Sequence, residues 1–157
     1  MINWSPYLES ICKKYAQWWD VYTLTDVAGK TRSPNTTPLL ADLRVQAVKE
    51  SREEKEEKTE QYNVLEGLRK YAANHVLLVG RPGSGKSTAF ARLLLEESEK
   101  ARDLLVDYPH QKKIVQIPIL VELRYYETSI IDLILQFLKR HDLIINGSEL
   151  EIILLGN

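Results

Sequence analysis

The stretch Gly80-Arg81-Pro82-Gly83-Ser84-Gly85-Lys86-Ser87-Thr88 decides how the chain is read. It has a glycine, four residues, then Gly-Lys-Ser, the spacing of a phosphate-binding loop. Upstream lies the apolar run Val76-Leu77-Leu78-Val79, which reads as a buried strand. Downstream, Ala89 to Glu97 reads as a helix. A glycine-rich turn between a strand and a helix suits a polyphosphate. Gly83 and Gly85 can take positive φ at little cost. Their N–H groups can then line a concave nest, and the helix start turns the positive end of its dipole toward the anion. In this pattern Gly80, Arg81, Pro82, Gly83, Ser84, Gly85, Lys86, Ser87 and Thr88 form the nucleotide-binding set. Lys86 supplies a cation for the β- and γ-phosphates, and the Ser87 hydroxyl is the expected Mg²⁺ ligand.

Composition bounds the rest. The chain has 157 residues, room for a modest core, and 44% of them are hydrophobic, so it is not disordered throughout. A formal net charge of −1 gives no long-range pull toward nucleic acid or anionic membrane. Cys12 is the single cysteine, which excludes an internal disulfide and leaves packing as its reading. Met1 to Pro6 lacks the basic region and apolar core of a secretory signal, and no apolar run approaches a membrane span. The expected location is cytoplasmic.

Along the chain, Ser5 is a candidate cap and Pro6 a first helical residue. Tyr7, Leu8, Ile11, Tyr15, Trp18 and Trp19 then recur at helical spacing, a face for packing. Gly29, Ser33, Pro34, Asn35 and Pro38 mark a loop. Leu43, Val45 and Ala47 alternate with Arg44 and Gln46, a short strand signal. Glu50 to Glu60 is dense in Glu and Lys and reads as a solvated linker. Asn63-Val64-Leu65-Glu66 is a capping box that opens a helix to about Ala72. His75, with no carboxylate or second histidine beside it in sequence, reads as structural. Three parts follow: a mainly helical segment over 1–48, a charged linker over 49–61, and a nucleotide domain over 62–157.

Past the loop helix, Tyr108 to Gln111 marks a turn, and Ile114 to Leu123 reads as a second strand. Pro118 cannot donate to a ladder, so that strand is expected to lie at an edge or to be locally bulged. Strand, helix, strand implies a right-handed parallel unit. The fold class expected is therefore α/β, a parallel sheet flanked by helices, after a mainly helical N-terminal segment. Ser129 to His141 carries apolar residues on nearly every face and wants burial on more than one side. Gly147-Ser148 stops it and caps a last helix, Glu149 to Leu155.

Four segments together resemble the NACHT family of signal-transducing P-loop NTPases, of bacterial and cyanobacterial type. They are Val64 to Tyr71, His75 to Thr88, Ile117 to Arg124, and Ile131 to Ile134. The resemblance covers roughly residues 60–157. It implies a switch protein of signalling or defence whose state is set by bound nucleotide and Mg²⁺. The family pattern continues with an acidic Walker B strand, which this sequence does not reach. The resemblance therefore implies a fragment, and a downstream segment or partner protein completing the sheet. No Asn-Lys-x-Asp guanine-reading motif is present, which favours ATP over GTP. Two rival readings stand beside this one. Ile119-Leu120-Val121-Glu122 is an apolar run ending in an acid, the pattern of a compact P-loop kinase using Glu122. A non-enzymatic interaction module with a vestigial loop is the other.

Overall fold

The computed structural model of the chain describes residues 2–25, 43–47, 60–73, 75–107 and 115–155. In order these form α1 (Ser5–Thr25), β1 (Arg44–Gln46), β2 (Gln61–Asn63), α2 (Val64–Lys70), α3 (Lys86–Asp107), a 3₁₀ turn at Leu123–Tyr125, α4 (Ile130–Arg140) and α5 (Gly147–Leu155). The chain divides into two compact units, Met1–Tyr22 with Phe90–Asn157, and Thr23–Ala89.

The expected α/β architecture is not what forms. Five helices dominate, and the one sheet among the described residues has two antiparallel strands, β1 and β2. No parallel unit is present among those residues. The run Val76–Val79 has no regular secondary structure, and Leu77 and Val79 are 85% and 79% exposed. Residues 115–122 likewise join no ladder. The physical reason is that apolar patterning gives a segment an appetite for burial, whereas a strand exists only through a hydrogen-bonded neighbour. Pro118 lacks an N–H, and its carbonyl accepts from the Tyr7 phenol at 2.5 Å. The second run is thus held by a side chain of α1.

In the first unit, α1 buries Tyr7, Leu8 and Ile11 against Leu94 and Ala101 of α3, Leu138 of α4, and Leu143. Val115, Ile117, Ile119 and Leu120 pack on this core half-buried. Cys12 is buried, as its packing role requires, and burial raises its thiol pKa. The start of α1 differs in detail. Asn3 Oδ1 accepts from the Ser5 N–H at 3.1 Å, and Leu8 N–H donates to Trp4 O, so the first helical turn closes on Trp4, one residue before the expected cap. Trp18 and Trp19 side chains, the loop at 29–38, Tyr108 to Gln111 and nearly all of the charged linker lie outside the described residues.

Helix α4 begins at a true cap. Ser129 Oγ accepts from Asp132 N–H at 3.0 Å, and the Ser129 and Thr128 hydroxyls donate to the Asp132 carboxylate. Those two hydroxyls hold Asp132 below the usual carboxylate range. Asp132, Gln136, Lys139 and Arg140 fall three and four residues apart, so the helix has a polar stripe. It buries Leu133 and Leu138 on one broad side rather than needing cover all round.

The second unit is small. β1 pairs with β2 in the register Arg44 with Asn63, Val45 with Tyr62 and Gln46 with Gln61. Asn63 Oδ1 caps α2 by accepting from Leu65 N–H at 3.0 Å. Val45 Cγ2 lies 2.7 Å from the position a Cβ on residue 67 would take, so α2 rests directly on the hairpin.

Candidate phosphate-binding loop

The loop from Gly80 to Gly85 ends in a helix 22 residues long that starts at Lys86. Gly83 and Gly85 both have positive φ, 76° and 84°. An L side chain is strained there, which is why this turn takes glycine at both points. Ser84 N–H donates back to Arg81 O at 3.2 Å and tightens the turn. The first helical bond runs from Ala89 N–H to Gly85 O, 2.8 Å. Helix geometry therefore leaves the N–H groups of Lys86, Ser87 and Thr88 without an acceptor inside α3. They stand at the positive end of a long helix dipole.

Lys86 doubles back over the loop. Its Nζ donates to Gly80 O and to Arg81 O, both at 2.8 Å, with Ser84 Oγ at 3.4 Å. The cation is thus drawn to the mouth of the loop by backbone carbonyls. Arg81, Pro82, Gly83 and Ser84 are exposed, as is Ser87; Thr88 is half-buried. The donor set fits a polyphosphate: a mobile ammonium, free amides at a helix start, and a hydroxyl one residue beyond the lysine for a phosphate-bound Mg²⁺. No cluster of three or more His, Cys, Asp or Glu suited to a metal exists among the described residues. A cation held between Ser87 and phosphate oxygens needs no such cluster.

One residue at this loop escaped the sequence reading. Leu43 Cδ1 lies 2.9 Å from where a Cβ on Gly85 would sit. Only the short alternation at 43–47 marked that stretch, and it says nothing of what the stretch touches.

His75, ahead of the loop, is exposed. Glu122 is exposed, ends no strand, and is ion-paired with Arg124. It lines a cavity of about 100 Å³ with Tyr15, Phe137, Arg140 and His141 among its walls. His141, absent from the sequence reading as a titrating group, is buried there. Burial first, and then the nearby Lys14 cation, push its pKa down to about 4.

No family model matches the chain, and neither a curated protein nor a solved structure is significantly similar to it. Among the described residues, no helix is long and apolar enough to cross a membrane.

Proposed function

We propose that Gly80–Thr88 binds the polyphosphate of a nucleotide, ATP ahead of GTP, together with Mg²⁺. The observation that carries the reading is the pair of positive-φ glycines leading straight into α3, with the Lys86 ammonium held at the same loop. Backbone N–H groups and the helix start favour the anion, and Lys86 exchanges carbonyl oxygens for phosphate oxygens. Bound Mg²⁺ would screen phosphate charge, with Ser87 as its protein ligand. In a signalling protein of the kind the sequence resembles, such binding would set one of two states. The proposal is of binding, and supports a nucleotide partner rather than a nucleic acid or a membrane.

Titration of labelled ATP with Mg²⁺ tests it. Lys86→Ala removes charge-assisted bonds worth about 1.5–3 kcal/mol each, so affinity is expected to fall roughly 10- to 100-fold. Ser87→Ala is expected to weaken binding in Mg²⁺ and to change little in EDTA. Equal affinities for wild type and Lys86→Ala would overturn the assignment.

A further inference from the structure

We infer that Leu43 is a positioning residue for the phosphate loop, holding Gly85 in the backbone conformation that presents the loop amides. The inference rests on the reading of the loop given above. A glycine has little local preference between positive and negative φ. The helical bond from Ala89 N–H to Gly85 O holds one side of Gly85, and a contact from outside the loop adds to what favours φ 84° there. Leu43 supplies it. Its Cδ1 methyl packs on the bare Cα, 2.9 Å from the place a Cβ would occupy. Rotation of Gly85 out of this conformation breaks that contact.

The brace is itself anchored. Leu43 immediately precedes β1, and its carbonyl accepts from Val64 N–H at 2.9 Å, at the junction of β2 and α2. Hairpin, α2 and loop thus form one mechanical chain within the second unit: α2 on β1, β1 joined to Leu43, Leu43 against Gly85. A binding loop held in its productive shape before the ligand arrives loses less on binding. Leu43 touches no phosphate in this account; it acts through Gly85.

The test uses the full chain and three variants. Leu43→Ala removes the methyls, Leu43→Met restores apolar bulk, and Val45→Ala loosens the same hairpin where it meets Gly67, away from the loop. Exchange of the Ser84 and Ala89 amides, which donate to Arg81 O and Gly85 O, is followed without ligand, and affinity for inorganic tripolyphosphate with Mg²⁺ is measured in parallel. Leu43→Ala is expected to speed exchange in the loop about tenfold and to weaken tripolyphosphate binding about five- to tenfold. Leu43→Met should restore both, and Val45→Ala, which reaches the loop only through the anchor, should move both by less than Leu43→Ala, even with a comparable fall in melting temperature. If Leu43→Ala does not fold, Leu43→Val is read in its place. Unchanged loop exchange, faster exchange without weaker binding, or equal effects from Val45→Ala would each overturn the inference. Failure of the wild type to bind tripolyphosphate or ATP would instead sink the nucleotide reading and with it the positioning role.

Discussion

At the scale of single residues, His141 carries the clearest pH signature. It ends α4 with its side chain buried among the rings of Tyr7, Tyr15 and Phe137. Its Nδ1 has no hydrogen-bond partner among the described residues. Burial disfavours the imidazolium most, and Lys14 and Arg140 oppose it further, while Asp142 acts the other way. The folded pKa is about 4 against an ordinary 6.5. Between these values the unfolded chain binds more protons, so stability is fully present above about pH 6.5 and drains away as pH falls toward 4. At about 1.4 kcal/mol per pH unit the loss is on the order of a few kcal/mol. Urea midpoints measured from pH 7 to 4 should drop for the wild type and stay flatter for His141→Gln. Parallel profiles would show that His141 is not the group responsible. Lys86, Gly83 and Gly85 were legible in the sequence because their chemistry is local to nine consecutive residues. The burial of His141 was not, since the rings that cover it include two from α1, and neither was the contact of Leu43 with Gly85.

At the scale of elements, the same division holds between local and distant causes. Local signals were readable: the Asn63 cap before α2, the apolar periodicity of Ser129 to His141 that became α4, and the alternation that became β1. The runs at 76–79 and 115–122 carried strand composition, but nothing in a single segment specifies its ladder partner. Even a cap can shift by a residue. The last helix is capped not by Gly147-Ser148 but by a reciprocal pair. Glu149 N–H donates to Asn146 Oδ1 and Asn146 N–H donates to Glu149 Oε2, both at 2.9 Å. That box matters because α5 buries little beyond Leu150. Asn146→Ala removes the side-chain half and leaves only the backbone N–H to Glu149, a cost of about 1 kcal/mol. Amides of α5 should then exchange several-fold faster, with those of α4 unaffected. Unchanged protection in α5 would mean that Leu150 alone holds the helix down.

At the scale of the whole molecule, the helical core of the first unit and the hairpin unit that carries the loop are each compact, yet apolar surface stays uncovered in both. In the first, Ile144, Ile152 and Leu155 are largely exposed. In the second, Leu77 and Val79 stand out two residues apart, just ahead of the phosphate loop. Single exposed apolar residues are ordinary, but neighbouring ones on a segment without ladder bonds invite association. With a net charge of only −1, repulsion between molecules does little to oppose it. The purified chain is therefore expected to bind a hydrophobic dye and to grow in apparent mass with concentration. The double variant Leu77→Lys, Val79→Lys should reduce both. It should keep the wild-type unfolding free energy to within roughly 0.5 kcal/mol, as is typical of surface changes, and so nearly the same melting temperature, because neither side chain is packed. A sharp fall in melting temperature would show that these residues are buried in the folded protein, and that the apolar run ahead of the loop has the covered strand its composition calls for.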